Sequence, residues 1–238
     1  MTTPDWLERT SLLMGPDKME RFRRAHVLVV GTGGVGAYAA EMLVRAGIGR
    51  LTLLDADRVQ PSNINRQLCA LHSTVGEEKV RVLGLRFKDI NPELDLTVRA
   101  EFLEEHSAGV LLDSAKFDFI VDAIDTIAPQ CALIEEAMKR RIRIVSSMGA
   151  GAKTDITQIR FADLWETFHC GLSKAVRTRL KRDGMRRPLP VVFCAQQADP
   201  AALVQVEGER NKKTTTGTVS YMPAVFGCYL AQYVISRL

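Results

Sequence analysis

Short, nearly uninterrupted apolar runs punctuate the first part of the chain: Val27-Leu28-Val29-Val30, Leu51-Thr52-Leu53-Leu54, Phe119-Ile120-Val121 and Ile142 to Ser147. Runs of this length, rich in β-branched residues, predict strands covered on both faces. Between them the spacing changes to three and four. Tyr38, Met42, Leu43 and Ala46 predict a helix from about Gly34 to Ala46, and Val80, Leu83 and Phe87 predict one from about Glu77 to Ile90, stopped by Asn91-Pro92. A further helix follows Asp125 and runs to about Arg141, while Leu96 to Val98 and Ser107 to Leu112 predict a strand and a short helix. Before all of these, Pro4 to Ala25 read as two short helices parted at Gly15-Pro16.

After Ser147 the rhythm changes. Ile156 to Phe161, Leu189 to Phe193 and Val204 to Val206 are strand candidates, Ala162 to Asp183 predict a helix with a basic end, and Met222 to Leu238 predict an apolar closing helix. A polar, glycine-flanked run, Asn211 to Gly217, precedes it. No repeat or linker divides the chain. The expected organisation is a single domain over 1–238, with a nucleotide-binding core at 1–150 and an elaboration of the same sheet at 151–238.

The first apolar run passes directly into Gly31-Thr32-Gly33-Gly34-Val35-Gly36, and the second ends in Asp55-Ala56-Asp57. A strand, a glycine turn, a helix and an acid-tipped strand form the nucleotide-binding half of a Rossmann-like fold. The expected class is therefore α/β: a mainly parallel sheet with helices on both faces, extended by C-terminal strands and a closing helix. Glycines Gly31, Gly33, Gly34 and Gly36 would let backbone N–H groups approach phosphate, and Asp55 would accept hydrogen bonds from ribose hydroxyls. Asp57 is equally suited to a turn or cap.

That motif alone fits a dehydrogenase. The ordered series Asn63, Arg66, Gln67, Lys79 and Asp125 changes the picture, because cations beside a phosphate-binding turn suit attack on a triphosphate. Asp125, at the tip of a strand, could hold Mg²⁺ or simply cap the next helix. Together these residues describe nucleotidyl transfer better than hydride transfer.

The 238 residues, 46% hydrophobic and 25% charged, are those of an ordinary globular protein. The initial residues lack a signal-peptide pattern and no apolar run approaches membrane-spanning length, so the expected location is cytoplasmic, without membrane contact. Five scattered cysteines without a Cys-x-x-Cys pair argue against disulfides and against a paired-thiolate zinc site. Cys170, beside His169, and Cys194 are either nucleophiles or small apolar fillers, the second being commoner. The net charge of +4 leans basic, and its densest segment is Arg177, Arg179, Lys181, Arg182, Arg186 and Arg187. That segment could complement a helix C-terminus or meet nucleic-acid phosphates. Lys153 and Lys212-Lys213 could extend such a surface, and carbonyls near Gly149 to Gly151 could hold a monovalent cation.

Gly31 to Gly36, Leu54 to Asp57, Ser62-Asn63-Ile64-Asn65-Arg66-Gln67, Val75 to Lys79 and Asp122-Ala123-Ile124-Asp125 resemble, in order, the motifs of the ubiquitin-activating-type adenylating enzymes, the ThiF, MoeB and HesA group. Gly149-Ala150-Gly151 and Gly217 to Gly227 are most similar to the branch of tRNA threonylcarbamoyladenosine dehydratases. The resemblance implies that Asp55 holds the ribose of ATP, that Asn63, Arg66 and Lys79 contact its phosphates, and that Asp125 binds Mg²⁺ and supports attack at the α-phosphate. It also implies a homodimer in which Arg9 reaches the partner's site, a tRNA substrate, and a possible sulfur-trafficking protein partner. Catalytic roles would thus fall to Arg66, Asp125 and Arg9. The rival readings are an activator of a ubiquitin-like sulfur-carrier protein and, more remotely, an NAD-dependent oxidoreductase or a nucleotide-sensing module.

Overall fold

The computed structural model describes residues 4–205 and 214–238. Two helices open it, α1 (Glu8–Met14) and α2 (Pro16–Arg24). Gly15, at φ 77°, turns the chain between them, and Pro16 restarts the helix at a position where its missing N–H costs nothing. The alternating part follows as β1 (His26–Val30), α3 (Gly36–Arg45), β2 (Arg50–Leu54), α4 (Lys79–Ile90), β3 (Asp95–Arg99), α5 (Ala108–Asp113), β4 (Phe119–Asp122), α6 (Ile127–Lys139) and β5 (Arg143–Ser147). The remainder comprises β6 (Ile159–Asp163), α7 (Gly171–Arg182), β7 (Pro190–Cys194), β8 (Leu203–Gln205), β9 (Thr214–Thr216) and α8 (Tyr221–Arg237).

Seven strands form one sheet in the order β3-β2-β1-β4-β5-β7-β6, parallel throughout except for β6, which runs against β7. Both faces are covered, which is why the central strands read as apolar runs rather than alternating ones. On one face Phe22, Leu43, Leu83, Phe87, Phe226 and Leu230 bring α2, α3, α4 and α8 together. On the other, Leu111, Leu133, Ile134, Val176 and Leu180 join α5, α6 and α7. The chain reverses its direction of winding between β1 and β4, so a crevice opens at the carboxyl ends of those strands.

The elaboration adds β7 and β6 to the edge of the sheet and folds α8 back onto α3. A β-carbon placed at Gly227 would stand 2.5 Å from the Val35 carbonyl oxygen and 2.7 Å from Tyr38 Cβ. The closing helix therefore touches the backbone that leads out of the glycine turn. β8 and β9 form a separate two-stranded ribbon.

Two expectations need correction. The helix predicted from Ala162 begins only at Gly171, because Ala162 and Asp163 pair with Val191 and Pro190 as the end of β6. Asp163 then accepts from Trp165 N and turns the chain. Thr214 to Thr216, placed in a polar run by the sequence, form a strand against β8. Val206 and Lys212-Lys213 lie outside the described residues. Among the described residues no helix is long and apolar enough to cross a membrane.

Candidate active site

The four glycines of the turn do different things. Gly31 leaves β1 at φ 84°, and a β-carbon there would lie 2.6 Å from the Ala123 carbonyl oxygen; at Gly36 it would lie 1.8 Å from the Gly31 oxygen. Both are required by the fold before any ligand arrives. Gly34 is crowded by Pro223 of α8, 3.1 Å from the same constructed position. Gly33 alone has room, meeting only the Gln67 amide at 3.7 Å. Its missing side chain leaves that side of the turn open.

Asp55, just beyond β2, ties this turn in place. Its Oδ2 accepts from Thr32 N at 2.6 Å and from Thr32 Oγ1 at 3.1 Å, and its Oδ1 accepts from Asp57 N at 2.8 Å. A carboxylate has about four acceptor sites, so capacity remains for a ribose hydroxyl. Thr32 escaped attention in the sequence, where only the glycines around it carry a signal.

The loop between β2 and α4 brings the next group together. Asn63 is buried, its Oδ1 accepting from Gln60 N at 3.0 Å to close a 3₁₀ turn over Pro61–Asn63. Arg66 is half-buried; its Nη1 donates to Ser62 O at 2.9 Å and Asn65 Oδ1 at 2.8 Å, and its stem lies near Gly34. Gln67 is buried beside Gly33 with its Oε1 unmatched in the protein. Lys79, expected to meet phosphate directly, is buried at the start of α4 with Nζ 2.7 Å from Asp57 Oδ2, while Asp57 is open to solvent. These two residues, considered separately in the sequence, form one ion pair.

At the end of β4 and just beyond it, two aspartates occupy contrasting places. Asp122 is fully buried; it accepts from Gln130 Nε2 at 2.9 Å and from Ile124 N at 3.1 Å, while the Ser146 hydroxyl stands alongside without forming a good bond of its own. Burial pushes its carboxyl up to about 6 against the lowering pull of Ser146, Gln130 and Ile124. Asp125 is exposed just before the N-terminus of α6. Among the described residues no group of three or more His, Cys, Asp or Glu could hold a metal ion. A Mg²⁺ at Asp125 would accordingly take its other ligands from nucleotide phosphates and water, as that ion commonly does.

Arg9 is not brought to this group. It is exposed on α1, whose preceding residue Leu7 packs by Gly47 at the opposite edge of the sheet. It could serve such a site only in another copy of the chain.

The C-terminal side of the same edge holds a cavity of ≈ 520 Å³ lined by Asn65, Lys153, Thr154, Gln196, Asp199 and Thr218, among others. Lys153, expected on a basic surface, is instead 4% exposed, with Nζ donating to the Cys194 carbonyl at 2.5 Å. Burial lowers its pKa. Cys170 and Cys194 are buried; the first caps α7 through Ser173 N, and the second leans on Asp155 O.

The basic stretch is partly spent inside the chain. Arg179 pairs with Glu105 at 2.7 Å and Asp183 at 2.5 Å, Arg182 pairs with Asp183 at 3.3 Å, and Arg177 donates to Leu164 O and Thr167 Oγ1. Lys181, Arg186 and Arg187 remain exposed.

A glycine turn, an acid that buttresses it and a cationic loop at the switch point define a nucleotide-binding α/β protein of the adenylating type. The chain belongs to the ThiF family, whose model matches residues 7–238. It is 36% identical to a Bacillus subtilis tRNA threonylcarbamoyladenosine dehydratase over 97% of this chain and 93% of that one. The structure of Escherichia coli tRNA N6-threonylcarbamoyladenosine dehydratase, TcdA, in complex with ATP superposes with a TM-score of 0.89 at 32% identity, covering 100% of this chain and 96% of the other. The Escherichia coli molybdopterin-synthase adenylyltransferase is 31% identical over a smaller share, 65% of this chain and 61% of that relative.

Proposed function

We propose that this protein is an ATP-dependent dehydratase of threonylcarbamoyladenosine in tRNA, acting as one adenylating unit over 1–238. The observation that carries the reading is Gly33, the turn glycine with no neighbour of its own to avoid, set beside Asp55, Gln67 and Arg66. Near-complete coverage by relatives named for this activity supports it over a carrier-protein activator.

The substrate's carboxylate oxygen attacks the α-phosphate of ATP, the bond to the β-phosphate breaks, and pyrophosphate leaves. The carbamoyl group then attacks the acyl carbon, and AMP departs with one of the original carboxylate oxygens. The net change is loss of a water. Holding both reacting groups on one substrate makes ring closure intramolecular. Backbone N–H groups at the turn and Arg66 stabilise the phosphates, and Asp55 orients the ribose. Lys79 either swings from Asp57 to a phosphate or holds the loop through that pair. Asp125 would hold Mg²⁺, which supplies charge neutralisation at the phosphates. Arg9 completes the site of a second copy, so the protein works as a homodimer, and exposed Lys181 and Arg186 meet tRNA phosphates.

The test is incubation with ATP, Mg²⁺ and tRNA bearing threonylcarbamoyladenosine, followed by mass spectrometry of the digested nucleosides. Loss of a water is expected, and Arg66→Ala or Asp125→Ala should abolish it without unfolding the protein. An unchanged nucleoside mass would sink the reading. Pyrophosphate exchange that depended on a sulfur-carrier protein would favour the activator instead.

A further inference from the structure

We propose that the cavity on the C-terminal side of the site receives the amino-acid part of the substrate, and that Lys153 in its wall binds the carboxylate to be activated. This rests on the dehydratase reading and assigns its second substrate a place. The cavity and the nucleotide loop share a wall: Asn65, next to Arg66, lines it and donates through Nδ2 to Thr218 O at 3.0 Å. A carboxylate held there lies on the Arg66 side of the glycine turn, away from Asp55. Its volume of ≈ 520 Å³ falls within the usual range for small-molecule sites.

Lys153 is the reason to place the anion here. An ammonium has three N–H donors, and this one, 4% exposed, makes one hydrogen bond among the described residues, to the Cys194 carbonyl. The titratable groups that face it are the thiols of Cys170 and Cys194, and among the described residues no carboxylate pairs with it. Burying a cation without a counter-charge is costly. A neutral amide would bind the same carbonyl without that cost, so the charge answers to an anion that comes and goes.

Two of the other lining side chains are committed elsewhere. Gln196 Oε1 accepts from Thr154 N at 2.8 Å and Asp155 N at 2.9 Å, and Thr218 Oγ1 donates to Thr216 O at 3.2 Å. Asp199 is exposed at the rim, its Oδ1 held by Ala201 N at 2.9 Å. A carboxylate at the mouth would meet repulsion there and attraction at Lys153, which orients the substrate with its acid inward.

The experiment measures binding by the full-length protein, with a non-hydrolysable ATP analogue present. The probes are tRNA bearing threonylcarbamoyladenosine and the same tRNA with that carboxylate methyl-esterified. The wild type should prefer the acid by about tenfold or more, as a charge-assisted hydrogen bond implies. Lys153→Gln should reduce the preference to within about twofold while leaving affinity for the ATP analogue unchanged. Preference retained in Lys153→Gln overturns the role of the lysine and leaves the dehydratase reading standing. Equal wild-type affinity for acid and ester does the same, and needs no variant should Lys153→Gln not fold. Wild-type protein that binds neither tRNA overturns the dehydratase reading and this inference with it.

Discussion

The carboxyl edge of the sheet has two sides built on different plans. Around β1 and β2 the site is made of backbone: Gly31 and Gly36 avoid carbonyl oxygens, and Asp55 holds Thr32 and Asp57 by their N–H groups. Around β5 and β7 it is made of one buried side chain, Lys153, reaching a carbonyl on a neighbouring strand. The first plan requires particular residues at fixed offsets along a short stretch. The second requires only that distant segments meet. A nucleotide grip of the first kind can be shared by many adenylating proteins, while a pocket of the second kind can change its substrate by changing a few side chains.

Three experiments press on this contrast, beginning with the largest effect. Gly36→Ala places a β-carbon 1.8 Å from backbone that cannot give way. It should lower stability by about 4 kcal/mol or more, read as loss of soluble protein or a collapsed urea midpoint. A variant that folded normally would show the turn to be far softer than its geometry.

Asp122 sits between the two sides, and its pH dependence is the next effect. Its folded carboxyl is raised to about 6 by burial, so the folded state holds the proton more tightly than the unfolded chain does. The resulting stabilisation is full below the ordinary carboxylate range and is lost as pH rises through about 6. The rise corresponds to about 2–3 kcal/mol over that window, and Asp122→Asn should flatten the dependence in urea titrations between about pH 4 and 7. The same slope in the variant would place the titration elsewhere.

The smallest effect is the most specific. Gly33→Ala meets nothing closer than the Gln67 amide, so stability should change by less than about 1 kcal/mol while ATP affinity drops about tenfold. Urea unfolding checks the first and calorimetric titration the second. Undiminished ATP binding would remove the distinction between Gly33 and its neighbours.

The contrast also explains what could be read from the sequence. The turn itself is legible in the sequence because Gly31 and Gly36 answer to tight backbone approaches and Asp55 holds Thr32 N beside them. Pairing of Lys79 with Asp57 was not legible, since each was assigned a separate role and only the folded loop brings their charges to 2.7 Å. A lysine in a polar stretch is usually solvated, so the sequence offers Lys153 as a possible extension of a basic surface. In the fold its Nζ turns in to the Cys194 carbonyl of β7. Ala162 and Asp163 were read as helix for a related reason: their intrinsic preference gave way to pairing with Val191 and Pro190. Asp122 lay inside a noticed motif, yet nothing in its neighbours announced a buried carboxyl.

Gly34 rests on Pro223, and Val35 on Gly227, across nearly the whole length of the chain. Contacts between such distant segments form late, since the intervening chain must first be ordered. The glycine turn therefore waits on α8 even though its own residues are contiguous. During refolding, recovery of ATP binding should report completion of the entire molecule, not the earlier appearance of β1 and α3.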